Sequence, residues 1–515
     1  MHKSSLLEII RTFSPKELTK FEDFVNSPYF NKNKNVINLF IEIKKHSPGF
    51  DNEKLGKEKI WEKLFPEKDY NYGIIKNLIF DLNKLAEQFI VSQNFAVDEP
   101  AHCKYLLNGL LDKYLPDYFY KKIEGFQTKF DLNYFKKNNC RSTEYFNFRS
   151  EMYDFNQLYT LHVNKTYSLS DKINLKAANI MSEFLVMCLK VYNDIIAVKF
   201  NEGSSIDDNP VVFFLRNVVE GKMNSIMDNL KKFSIEGHDV IKLYHQMFES
   251  QKKDGNENSY FTFKENVLRG QNVLSDLEIR SLHNCLINSY VNNPPAGTNP
   301  NYELLDIFDS MIDKNIIKSP SQKWIEEHIF SYYIMHCANV NRGDKIRTFV
   351  ERYQNSLNPE TFENMNIEIK CILNFIERNF VNSLRYLNEL EIKAIGKKIL
   401  SKSLRVKILY EMNDYESFIC EKDTYKHFLT NNKTLIDSVG MNEKKTSLTK
   451  NYIEIINNLF SLRNDFKKEK YFEVKDLIMN SYSASNWFHD KIKEIEQANG
   501  LSPKTKSIKV KGKQI

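Results

Sequence analysis

The residues whose types could do chemistry are few, and their spacing does little to gather them. His238, His245 and Glu249 fall on one helical face at offsets of seven and four, and imidazole with carboxylate is a zinc donor set. Three donors in line along one helix need a second helix to converge on an ion, and His238 adjoins a break expected at Gly237. A packed or solvated stripe is therefore the expectation. His328, His336 and Cys337 form a second grouping, but Cys337 has a counterpart in Cys371 (371 − 337 = 34), which reads as a small, close-packed position. No two glycines lie within six residues of each other, which excludes the phosphate-cradling loop, the dinucleotide fingerprint and the serine nucleophile elbow. His-Glu-x-x-His is absent too. The expectation is no catalytic activity, no cofactor and no metal.

Charge points to one further place. Lys504, Lys506, Lys509, Lys511 and Lys513 crowd the last sixteen residues without an acid, so the net charge of +6 leaves about +1 for the body (6 − 5 = 1). A near-neutral body does not bind polyanions by bulk charge. The tail, residues 499–515, is expected to be disordered and solubilising. Its functional reading is transient contact with nucleic acid or an anionic surface, screened at physiological salt.

Seven cysteines include no Cys-x-x-Cys, and the odd count speaks against a secreted disulfide framework. Reduced thiols in a cytoplasmic protein are expected, and the first residues lack the apolar core of a signal peptide. The most apolar window, residues 180–200, is interrupted by Glu183, Lys190, Asn193 and Asp194, so it predicts a buried helix and no membrane insertion.

The elements that position these groups should all be helices. Only 16 Gly and 13 Pro punctuate 515 residues, too few for many hairpin turns. The expected organisation is an N-terminal helical domain over 1–95, an irregular helical region over 96–275, helical repeats over 276–498, and the basic tail. In the first, Ser14-Pro15-Lys16-Glu17 is a helix start and Val36, Leu39, Phe40 and Ile43 form an inward stripe. A long helix should carry Ile74, Ile75, Leu78, Leu82, Leu85, Phe89 and Ile90. Further on, Ile123 and the aromatics Phe126, Phe130, Tyr134 and Phe135 fall at helical spacing among lysines, which predicts a core stripe with a solvated face.

Trp61 to Pro66, a polar turn, and then Ile74 to Leu85 resemble the helix-turn-helix of winged-helix domains in some bacterial activators that also carry helical repeats. That resemblance implies DNA reading by the second helix. Its cations are Lys76 and Lys84, set against Asp81 and Glu87, with no arginine.

Three later junctions repeat: Asn341-Arg342-Gly343-Asp344-Lys345-Ile346, Glu377-Arg378-Asn379-Phe380 and Glu411-Met412-Asn413-Asp414-Tyr415. Counted on their apolar residues they lie 34 and 35 apart (380 − 346 and 415 − 380), the period of stacked helix hairpins. They resemble tetratricopeptide repeats, and the whole sequence resembles a group of large bacterial helical-repeat proteins; the resemblance implies a tetratricopeptide-like α-solenoid and no activity. Where that repeat wants alanine this sequence has Phe349, Ser383 and Phe418. Where some repeats clamp a partner's carboxylate with lysine and asparagine, it has Ile334, Ala338, Glu368 and Ile372. The function expected is a scaffold or adaptor whose repeats bind a protein or peptide partner. The alternative is a DNA-binding regulator with the repeats as sensor.

Overall fold

The structure, a computed structural model, describes residues 4–50, 55–162, 169–202, 209–233, 235–252, 257–270, 274–320, 322–438, 443–481 and 485–501. Every regular element among them is helical, and the protein forms two compact units, residues 1–128 and 129–515.

The first unit contains α1 (Ser5–Thr12), α2 (Pro15–Asn26), α3 (Lys34–Lys44), α4 (Lys57–Leu64), α5 (Tyr72–Val97), α6 (Glu99–Asp112) and most of α7 (Pro116–Lys129). Ser14 opens α2 as expected: its hydroxyl accepts from the Glu17 N–H at 3.3 Å, and Glu17 accepts from the Ser14 N–H at 2.8 Å. The inward stripes of α2, α3 and α5 meet at Phe21, whose ring lies 4.8 Å from Phe40 and 5.2 Å from Phe89. Ile74 and Ile90 are exposed, contrary to expectation. They are sequence neighbours of the buried Ile75 and Phe89, and 100° of helix rotation carries them out of the stripe.

The second unit begins with α8 (Leu132–Lys137), α9 (Ser142–His162) and α10 (Leu169–Glu202). Aromatics Phe130 and Phe135 are buried as the stripe predicts. The two long helices run antiparallel, because Asn147 meets Glu183, Asp154 meets Lys176 and Thr160 meets Lys172. Then come α11 (Pro210–Phe214), α12 (Met223–Lys231), α13 (His238–Ser250) and α14 (Glu257–Arg269). Contrary to expectation, α10 is not buried all round: Leu185, Val186 and Leu189 are in the core, but Ile180, Phe184 and Met187 are 40–50% exposed. Among the described residues no helix is long and apolar enough to cross a membrane.

Next follow α15 (Asp276–Asn292), α16 (Pro300–Asp313), α17 (Glu327–Asn339), α18 (Gly343–Tyr353), α19 (Pro359–Ile376), α20 (Phe380–Glu389), α21 (Ile395–Glu411) and α22 (Tyr415–Asn431). The last helices are α23 (Lys433–Ser438), α24 (Glu443–Asn464), α25 (Lys468–Ser481) and α26 (Asn486–Ala498). Residues 322–326, ahead of α17, are not helical: Glu326 is extended and the Ile325 N–H donates to the Ser356 carbonyl. α25 and α26 are separate helices, Ser485 being extended at the start of α26.

The three repeated junctions share one backbone device. Asn341, Arg378 and Asn413 are left-handed, with φ of 58°, 61° and 56°. At each, the following N–H reaches back to a carbonyl of the last helical turn: Arg342 to Cys337, Asn379 to Asn374 and Asp414 to Leu409. Counted on these residues, the spacing is 37 and 35 (378 − 341 and 413 − 378). The register that paired Ile346 with Phe380 is thus off by one helical turn. Cys337 corresponds to Asn374, and Ile346, Ser383 and Phe418 are equivalent, all fully buried. Only the small Ser383 lets its helices close up: its hydroxyl donates to the Cys371 carbonyl at 2.9 Å, and Cys371 Sγ lies 3.3 Å from the Ser383 carbonyl.

Candidate functional site

What holds α15 in place determines what it presents. Its N-terminus is capped by Ser275, and one turn in lies Glu278, 2% exposed. That carboxylate accepts from the Ser142 N–H at 3.0 Å, the Ser142 hydroxyl at 2.7 Å, Lys190 at 3.0 Å and the Tyr244 hydroxyl at 3.3 Å. One acid thus ties α15 to α9, α10 and α13, and its bonds leave it no free role in catalysis. A turn further, His283 is fully buried: Nδ1 donates to the Ile279 carbonyl at 2.7 Å and Nε2 accepts from the Ser310 hydroxyl at 3.0 Å. Burial pushes its imidazole down to about 4, so it is neutral.

With its back fixed in this way, α15 turns Arg280, Asn284, Asn288 and Asn292, each four residues on, toward a groove of about 530 Å³. Leu304 and Phe308 of α16 contribute to its lining, and Glu326, His328, Tyr332 and His336 line it along α17. Its size is that of an ordinary ligand cleft. At one end Arg280 donates to Glu326 Oε1 at 2.7 Å, both side chains being more than four-fifths buried. The pair leaves Arg280 Nε and Glu326 Oε2 buried and without a partner. Asn284 and Asn288 are half-buried, and among the described residues no hydrogen bond involves their amides. His336 is held by Asn301 Oδ1 at 3.0 Å, and burial pushes it down to about 4. The groove is therefore lined by an internally neutralised ion pair, neutral amides, a neutral imidazole and apolar walls.

Of the residues singled out by sequence, His328 and His336 both line this groove, while Cys337 is buried on another face and burial pushes its thiol up to about 12. Cys371 is raised likewise to about 11, so neither is an activated nucleophile. His238 lies 3.2 Å from the Met227 carbonyl and His245 3.2 Å from Glu249, which also pairs with Lys252 at 2.7 Å. Those bonds, that of His245 foremost, pull Glu249 down to about 2. No grouping of three metal donors occurs among the described residues. Glu368 faces Lys397 at 3.5 Å, which also bonds Glu327 at 2.6 Å, so it joins α17, α19 and α21. Lys504, Lys506, Lys509, Lys511 and Lys513 lie outside the described residues. Lys76 and Lys84 are exposed on α5 beside Tyr72 and Phe80, and the next element is α6. The asparagine ladder of α15 went unmarked in the sequence, although its even four-residue spacing opposite Leu282, Leu286 and Tyr290 is visible there.

An all-helical protein with a neutral, amide-lined groove is the class that fold and site define. Comparison with protein-family models, curated proteins and solved structures finds no match.

Proposed function

We propose that the protein is a helical scaffold that binds a partner through an extended peptide segment laid in the groove between α15 and α17. The observation that carries it is the ladder of Asn284, Asn288 and Asn292. Successive rungs on a helix are about 6 Å apart, close to the roughly 6.7 Å between alternate residues of an extended strand. Each amide offers a donor and an acceptor, the complement of a backbone carbonyl and N–H. Charge neutrality of the groove suits an uncharged peptide backbone better than a phosphate, and the apolar wall accepts the segment's side chains.

The left-handed turn that ends helices at Asn341, Arg378 and Asn413 also occurs at Tyr114, Asn139 and Asn315; what supports reading α17–α22 as tetratricopeptide-like hairpins, with α15–α16 as the hairpin before them, is its spacing of 37 and 35 residues (378 − 341 and 413 − 378). On this reading the protein holds a partner in the cytoplasm and turns nothing over.

Peptides selected from a random display library against the full-length protein, then measured by fluorescence anisotropy, provide the test. Asn284→Ala with Asn288→Ala should weaken them about tenfold or more, at about 0.5–1.5 kcal/mol per hydrogen bond. Equal affinity for the double variant, or no selectable peptide, overturns the reading.

A further inference from the structure

One face of the long helix α10 is only partly covered: Phe184 packs edge-on against Phe214 of α11 at 5.1 Å, and the rest of the face is open among the described residues. Ile173, Ile180, Phe184, Met187, Val191 and Val198 are each 39–50% exposed; from 173 to 191 no exposed residue is charged, and Asp194, between Val191 and Val198, is the exposed acid at the far end of the face. The charges interspersed there are turned aside: Lys176 to Asp154, Glu183 to Asn147, and Lys190 to Glu278. A helix this apolar all round is the composition of a buried element.

The spacing identifies what covers it. Steps of seven, four, three, four and seven residues are a heptad seam, and the seam reads the same in both directions: 173 + 198, 180 + 191 and 184 + 187 all equal 371. Laid antiparallel on itself about a twofold axis between Leu185 and Val186, α10 sets Phe184 against the partner copy's Met187 and Ile180 against its Val191. We infer that this face pairs with the same face of a second copy, making an isologous homodimer. No like charges meet along the central seam. With about 80 Å² open on each of the six side chains, two copies remove on the order of 1,000 Å² from water, the threshold for a biological interface and the range of a weak, reversible dimer. The inference does not rest on peptide binding, although the two surfaces adjoin at the end of α10, where Ala197 lines the groove beside Val198.

Sedimentation velocity on the full-length protein at micromolar concentration should give twice 60.9 kDa. Phe184→Lys should halve that mass with an unchanged circular dichroism spectrum, because the side chain is exposed. Adding Met187→Glu to it should restore the dimer, since each new lysine then faces the other copy's new glutamate. Ile180→Cys with Val191→Cys should form an intermolecular disulfide that the wild-type protein lacks. Within one helix those positions are about 16 Å apart, too far to bridge. A monomeric wild type, a dimer indifferent to Phe184→Lys, or the absence of that crosslink overturns the inference.

Discussion

Two interhelical spaces in residues 129–515 are built from similar materials and end differently. Among α21, α24 and α26 the protein fills the space itself. Trp487 Nε1 donates to Glu411 Oε1 at 2.6 Å and Lys491 lies 2.8 Å from the same carboxylate. Lys407 sits under the Trp487 and Tyr452 rings at 5.3 and 5.8 Å, and burial pushes its ammonium down to about 8. Between α15, α16 and α17 an ion pair and a row of amides again line the space, but no element enters it. The difference separates two uses of polar side chains: those bonded within the protein hold the stack closed, and those left unbonded are available to something else.

Removing a carboxylate breaks that comparison most sharply. Glu411→Ala leaves Lys491, 7% exposed, without its inner partner, and should cost about 3–5 kcal/mol in denaturant unfolding. A loss below about 1 kcal/mol would make the filled space no different from the open one.

Acid titration reaches the groove from behind. His283 and His336 are held near 4 when folded and return to about 6.5 when unfolded. Stability is complete above pH 6.5, is lost as pH falls toward 4 while only the unfolded state takes up protons, and levels off below. The loss is on the order of 3 kcal/mol for each imidazole. His283→Gln, which keeps a donor and an acceptor, should flatten about half of that slope in unfolding curves measured across the range.

Weakening the groove's own ion pair should matter less. Glu326→Gln keeps an acceptor for Arg280 and should cost about 1–2 kcal/mol by thermal unfolding. Smallest of all, Asn284→Ala with Asn288→Ala should stay within about 0.5 kcal/mol of wild type, because those amides bond nothing among the described residues. A larger loss would show that the ladder serves the fold.

Helix content was legible because it is local. The Ser14 box, the Val36 to Ile43 stripe and the scarcity of glycine each act within a few residues. The apolar face of α26 was legible too, with Phe488, Ile492 and Ile495 buried. On its polar side Glu494 is half exposed, while Glu496 turns in to Lys475 at 2.8 Å, a contact between residues 21 apart that no local pattern marks. Repeat register failed for a similar reason, because the marker that sets it is a left-handed residue, Asn at two turns and Arg at the third. Asparagine tolerates that conformation, but arginine gives no sign of it.

Of the residues that line the groove, the sequence marked only His328 and His336, and those as possible metal donors. Arg280 and Glu326 are 46 residues apart, and the ladder of α15 looks like any solvated face until Glu278 and His283 fix the helix from the other side. By itself the sequence determined the helices, their caps and the absence of glycine-based phosphate motifs, since these depend on close neighbours in sequence. Tertiary structure alone decided which polar face is saturated and which is left open, because hydrogen-bond satisfaction is a property of distant groups brought within about 3 Å of each other.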